Sequence, residues 1–445
     1  VSAPPKGKLG RLARLSGLTG RVTSSYVGRK VAGVFQDEDA RRRALDKLHL
    51  RNAEQIVDTM GRLKGAAMKV GQQFAQLAST LDLPPEVQGV LGKLHDDVEP
   101  VPWTDVERSM ADSLGEPLAN LFADIDPEPL GTASLGQAHA ARLTTGAEVV
   151  VKVLHDGIEE TVGADLGALK ALLIGGRVLR RDRDEIEDAF VEIRARLDEE
   201  LDYLHEAANI VRFGELFRDE PRIRIPKVHP HASTERVLTM DRLPGVPLAE
   251  FKATGTAEAR QAAGEMLAEL YYRSAFKNRF LHADPHPGNY LFEPDGTVGL
   301  IDFGCVKRLD EFFMADYARC AIAAVDGRRG DALKYAQKTG AWAGDDPKAG
   351  RKLWRFCEAL AGPYRQAGYT LGGPQDDVLK HVTEATTPLL LHPEIRAPAK
   401  MLYLHRTLGG SYTITRELVT TLDLGSYLRK YGGMAIAAAE GRAQA

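Results

Sequence analysis

Cysteine is scarce in this chain. Its three cysteines, Cys305, Cys320 and Cys357, form no C-x-x-C pair. So sparse and odd a set argues against a disulfide framework and a zinc site, and it suits a reducing compartment. Long hydrophobic runs are missing too. No stretch of about 18 apolar residues occurs, so no transmembrane helix is expected. The N-terminus lacks the apolar core of a secretory signal. There is no large charge excess either, and a formal net charge of −4 gives no bias toward nucleic acid. What is present is 445 residues, 44% hydrophobic and 27% charged, enough for two or three ordinary domains or one large two-lobed fold. These features lead to the expectation of a cytoplasmic protein whose contact with a membrane, if any, is peripheral.

Charge is uneven along the chain. The first 35 residues carry Lys6, Lys8, Arg11, Arg14, Arg21, Arg29 and Lys30 and no acidic residue, with Leu9, Leu12, Leu15 and Leu18 interleaved. Such an arm can lie on an anionic membrane or remain a solvated tail. From about Ala40 to Asp124 the pattern is helical. Met60, Leu63, Ala67, Val70, Phe74 and Leu77 form one apolar stripe, and Thr104 has the position of a helix N-cap. Near Pro127 the period changes. Segments 137–142 and 148–154 read as strands joined by a turn at Thr144-Thr145-Gly146. A long helix spans 186–211, a further strand 236–241, and the remainder is mainly helical, interrupted by short strands and loops between His282 and Gly304.

Chemistry concentrates in that interruption. It reads His282-Ala283-Asp284-Pro285-His286-Pro287-Gly288-Asn289, then Ile301-Asp302-Phe303-Gly304. Phosphoryl transfer needs a carboxylate to orient the acceptor, oxygen ligands for a divalent cation, and charge neutralisation. Asp284 supplies the first. Asn289, five residues on, and Asp302, opening a D-F-G, supply Mg²⁺ ligands. The two prolines stiffen the loop, and His282 and His286 are expected to hydrogen-bond rather than hold a metal. Upstream, Lys152 sits among β-branched residues, where burial demands a carboxylate partner. Glu199, Glu200 and Glu206 are candidates. In one straight helix Glu200 and Glu206 face different ways, and Glu200 is the choice. Leu130 to Gln137, with Ala133, Ser134, Gly136 and Gln137, occupies the place of a phosphate loop. Met240, Asp241 and Leu243 lie where an adenine would rest. Lys69 and Gln72, three apart on the earlier helix, project together.

Taken in order, these motifs resemble the UbiB-type atypical kinase family, the coenzyme-Q-associated kinase-like proteins. The resemblance rests on Lys69-Val70-Gly71-Gln72, Ala133 to His139, Val151-Lys152-Val153, Glu200 to Tyr203 with Glu206 to Asn209, and the His282–Asn289 loop, with a weaker echo at His405 to Gly409. It implies an alanine-rich loop that tunes nucleotide selectivity. It also implies a K-x-G-Q helix over the active site, binding of ATP or ADP with Mg²⁺, ATPase activity more readily than protein phosphorylation, and support of isoprenoid quinone biosynthesis at membranes. Gly131 and Thr132 depart from positions that are often alanine in the family. The C-terminal hydrophobic segment of some bacterial members is absent. No A-P-E follows Gly304, so a peptide-docking groove is not expected.

The expected architecture is α+β, a two-lobed protein-kinase-like fold with an N-terminal helical extension. Its parts are a basic arm (1–45), the extension (46–125), a β-rich lobe (126–243) and a helical lobe (244–445). ATP would lie between the lobes, with Lys152 on its phosphates, Asn289 and Asp302 on Mg²⁺, and Asp284 at the acceptor. Expected partners are the nucleotide, an anionic membrane surface, lipid quinone precursors and a lipid-biosynthesis protein complex. The alternatives are a small-molecule kinase and a nucleotide-gated scaffold.

Overall fold

The structure, a computed structural model, describes residues 100–133, 135–175, 183–390 and 398–443, with single positions at 51, 70, 392, 394 and 395. The basic arm, residues 46–50, 52–69 and 71–99 of the helical extension with Lys69 and Gln72, and Ser134 lie outside the described residues. The chain forms two compact units, Val1–Ala207 with Val228–Arg242, and Ala208–Lys227 with Leu243–Ala445.

The first unit is built on a four-stranded antiparallel sheet in the order β1-β2-β3-β5, from β1 (Phe122–Thr132), β2 (Gly136–Leu143), β3 (Glu148–Leu154) and β5 (Val237–Asp241). Helix α1 (Trp103–Leu114) covers one face, where Val106 and Met110 pack with Val149, Val151, Val153 and Val237. Alternation along β3 does the sorting: Val149, Val151 and Val153 face this core, while Val150 and Lys152 face the other way. The Thr144–Gly146 turn forms as expected, with Gly146 at φ 90°. Thr104 does not cap α1. It lies inside the first turn, and Pro102 takes the cap position.

β1 was not legible as a strand, because Asp124, Asp126, Pro127, Glu128 and Pro129 all have low strand preference. It is an edge strand with register shifts between Ile125 and Pro129 and between Pro129 and Gly131, the setting in which a sheet tolerates proline. The single helix expected over 186–211 is two helices, preceded by α2 (Ile158–Gly175). α3 (Arg183–Glu200) ends, Leu201-Asp202 breaks the run, and α4 (Tyr203–Leu216) begins. Asp202 makes the break by accepting the Leu204 and His205 backbone N–H groups at 2.9 and 3.2 Å.

The second unit is helical, with three small sheets. β4 (Ile223–Arg224) pairs in parallel with β8 (Val298–Leu300), which pairs with β7 (Tyr290–Phe292). This pairing holds residues 208–227 in the helical unit. β6 (Phe280–His282) pairs with β9 (Val306–Arg308), and β10 (Tyr369–Thr370) with β11 (Thr421–Leu422). The helices are α5 (Leu248–Thr254), α6 (Ala257–Tyr272), α7 (Glu311–Val325), α8 (Arg329–Lys338), α9 (Pro347–Ala361), α10 (Val378–Leu390), α11 (Ala399–Glu417) and α12 (Leu424–Ala443). Thr256 caps α6 by accepting Ala259 N–H, and Asp310 caps α7 by accepting Phe313 N–H. Six π-helical residues, Arg273–Asn278, follow α6, and Arg279 in the left-handed region turns the chain into β6. Among the described residues no helix is long and apolar enough to cross a membrane.

Candidate functional site

In the first unit, the Lys152 Nζ donates to Glu206 Oε1 at 2.7 Å, with side-chain exposures of 13% and 5%. Both charges are largely withdrawn from water, so each depends on the other. The expectation that Glu200 fills this role is corrected. Glu200 closes α3, whereas Glu206 stands in the first turn of the new helix α4, which the break at Leu201-Asp202 reorients. Lys152 pairs across the sheet with Ala138 on one side and Leu238 on the other.

The Leu130–Gln137 segment is more tightly committed than its sequence suggested. Gly136 is required by close strand approach, since a Cβ there would lie 2.4 Å from the Val153 carbonyl oxygen. The Ala133 N–H is spent on the Gly136 carbonyl at 2.8 Å. Gln137 does not reach toward a nucleotide. It is buried on the α1 side of the sheet, where its carbonyl accepts the Val101 N–H at 2.9 Å and its amide nitrogen lies 2.9 Å from His139 Nε2. Alternation decides this, because positions 137 and 139 share the core face. Met240 is buried in β5, opposite Val150. The Asp241 carboxylate is 2.8 Å from His229 Nε2. In the second unit, Leu243 packs against Gly299.

The second unit brings the His282–Gly304 residues together. The Asn289 amide nitrogen donates to both the Asp284 backbone carbonyl, at 3.0 Å, and the Asp284 carboxylate, at 2.9 Å. His286 N–H donates to the Asp284 carbonyl, and His286 Nδ1 accepts the Gly288 N–H at 3.1 Å, so the Pro285–Asn289 loop is tied from within. His282 Nε2 lies 2.7 Å from the Asp302 carbonyl oxygen, the hydrogen-bonding role expected of it. Asp302 Oδ1 accepts the Gly304 N–H at 3.1 Å. Phe303 is fully buried against Phe213 and His282, and its carbonyl accepts the Asn209 amide at 3.1 Å. Beneath the loop, the buried hydroxyls of Tyr271 and Tyr290 hydrogen-bond to each other, and burial pushes both phenols well above the usual range.

The donor set suits a hard cation. The Asn289 nitrogen is committed to Asp284, so its Oδ1 is left without a donor among the described residues, in the same unit as the Asp302 carboxylate. One carboxylate and one amide oxygen, with room for phosphates and water, is the ligand supply Mg²⁺ takes. Among the described residues no three His, Cys, Asp or Glu side chains gather into a metal-binding group.

Known proteins share these elements. The sequence family described as the ABC1 atypical kinase-like domain matches residues 93–336. The chain belongs to the ABC1 atypical kinase-like family. Its relatives include the Caenorhabditis elegans protein "Atypical kinase coq-8, mitochondrial", 27% identical over 95% of this chain and 57% of that protein. Another is "Atypical kinase COQ8, mitochondrial" of Schizosaccharomyces pombe, 28% identical over 94% of this chain and 68% of that protein. The chain thus spans little more than half the length of the nematode relative. Among solved structures, the Mycobacterium tuberculosis protein Rv3197 in complex with erythromycin aligns with a TM-score of 0.65 and 27% identity, over 89% of this chain and 99% of that one. The architecture is the kinase-like fold of the family, a β-sheet unit and a helical unit.

Asn209 and Arg406 escaped sequence reasoning as site components, and Glu206 was weighed but passed over for Glu200. Glu206 and Asn209 stood in the quoted Glu206-Ala207-Ala208-Asn209 run, one turn apart, but only the break before α4 shows which carboxylate Lys152 meets. Arg406 places its Nη2 3.5 Å from Asp284 Oδ1. It lay in the His405–Gly409 echo with no role attached.

Proposed function

We propose that this chain binds a Mg²⁺–nucleotide, ATP or ADP, and works as an atypical kinase or ATPase supporting isoprenoid quinone biosynthesis. The observation that carries the reading is the locked Asp284–Asn289 pair, with Asp302 fixed in the same unit by Gly304. Asp284 is the group to orient an acceptor hydroxyl or water and take its proton. Asn289 holds the carboxylate in place through its nitrogen and turns its oxygen toward a cation. Asn289 and Asp302 would hold Mg²⁺, which when bound neutralises charge on the transferring phosphates. Lys152, held by Glu206, serves the α- and β-phosphates. The backbone near Gly136, and Met240, Asp241 and Leu243, serve the rest of the nucleotide. The names of the nematode and fission-yeast relatives support the kinase and quinone parts of the reading.

Phosphate release from Mg·ATP by the full chain tests it, with Asp284→Asn as the comparison. The substitution keeps the shape but removes the proton acceptor. Turnover should fall by at least about a hundredfold, the usual worth of a positioned general base, while nucleotide affinity stays within a few-fold. Undiminished turnover would remove Asp284 from the reaction.

A further inference from the structure

A cavity lies wholly within the helical unit. We infer that it is a binding site for a compact, largely apolar molecule bearing one hydrogen-bond-accepting oxygen, and that α11 transmits its occupancy to the Asp284 loop. The cavity has a volume of about 250 Å³. An apolar protein cavity of about 150 Å³ holds benzene, so this one has room for a bicyclic ring or a ring with a short chain. Ala321 and Ala324 of α7, Phe356 and Leu360 of α9, and Met401 and Leu408 of α11 form its walls. Among the described residues no Asp, Glu, Lys or Arg lines it, so an anionic phosphate would meet no countercharge there.

The polar atoms on the walls specify the ligand further. The Tyr272 hydroxyl donates to the Tyr364 hydroxyl at 2.6 Å, and the Tyr364 hydrogen itself has no acceptor among the described residues. Tyr317 and His405 satisfy each other at 3.0 Å. A donor left over in an apolar enclosure is costly, and a carbonyl oxygen entering the cavity would relieve that cost. His405, Leu408 and Tyr412 place one side of α11 on the cavity. The same helix carries Arg406, 3.5 Å from Asp284, and Gly410, where a Cβ would lie 2.3 Å from Pro285 Cγ. The helix is therefore in direct contact with the proposed catalytic loop.

α-Tetralone, a bicyclic ketone, and tetralin, the same skeleton without oxygen, are the probes. Isothermal titration of the full chain should show saturable binding of both, with tetralone about tenfold tighter. Tyr364→Phe should bring tetralone down to the tetralin level and leave tetralin unchanged. Ala321→Trp, which fills the space, should abolish both; if that variant does not fold, the Tyr364→Phe comparison decides alone. In hydrogen exchange, tetralone should slow amides of residues 399–417 and of residues 282–292. No saturable tetralone binding by the wild type, or equal binding by Tyr364→Phe, overturns the site. Slowing confined to 399–417 overturns the coupling to the loop. None of these outcomes depends on whether the chain binds a nucleotide.

Discussion

Lys152 meets Glu206 rather than Glu200 because one short side chain, Asp202, ends a helix and starts another. Lys152, Asp284, Asn289 and Asp302 could be proposed from the sequence, since each stands in a local pattern: a lysine within a valine run, a D-x-x-x-x-N spacing, a D-F-G. The Lys152 partner could not be chosen that way, because it depends on where a helix stops. Removing one member of a buried ion pair costs about 3–5 kcal/mol. Glu206→Gln is therefore expected to lower both the melting temperature and Mg·ATP affinity, and Glu200→Gln to do clearly less to each. Melting curves and titrations of the two variants side by side check this, and equal damage from both would contradict the assignment. Gln137 was also misjudged, although the information was present. Counting alternate positions across the β2–β3 pair places it on the face of Val153, in the core.

At the scale of elements, strand β3, the turn after β2 and the short strands around the Asp284 loop were readable from alternation and turn residues. Edge strand β1 was not, since its acidic residues and prolines are a device of sheet edges and not a hydrophobic pattern. The β1–β2 junction offers a paired test. A Cβ at Gly136 would press on the Val153 carbonyl and on the Tyr203 hydroxyl at 2.9 Å, whereas one at Gly131 meets nothing within 4 Å. Gly136→Ala should cost about 1–3 kcal/mol of stability and Gly131→Ala should cost none, as read from denaturant midpoints. Helix α11 offers a pH test. Burial holds the His405 imidazole down to about 4, from an ordinary value near 6.5. Above pH 6.5 the histidine is neutral in folded and unfolded chains alike. As pH falls through 6.5 the unfolded chain takes up a proton that the folded chain refuses, so stability is lost progressively down to about pH 4, by about 3 kcal/mol in all. His405→Gln should flatten that part of the stability profile. A profile with the wild-type slope would mean that His405 is not the group responsible.

At the scale of the molecule, the chemistry is divided. The lysine and its glutamate belong to the β-sheet unit, and the carboxylates and the amide belong to the helical unit. The order of the two, strand-rich first and helical second, was visible in the change of period near Pro127 and again after Asp241. The packing of residues 208–227 with the helical unit was not, because it depends on the β4–β8 pairing across about 75 residues. The central claim is that both units serve one Mg²⁺–nucleotide. Isothermal titration of Mg·ATP into the wild type, Lys152→Ala and Asp302→Asn tests it most directly, since each variant removes one unit's contribution and leaves the other intact. The account predicts saturable binding by the wild type, at least about tenfold weaker binding by each variant, and no remaining Mg²⁺ dependence in Asp302→Asn. Wild-type affinity in either variant, each still folded by circular dichroism, would contradict it.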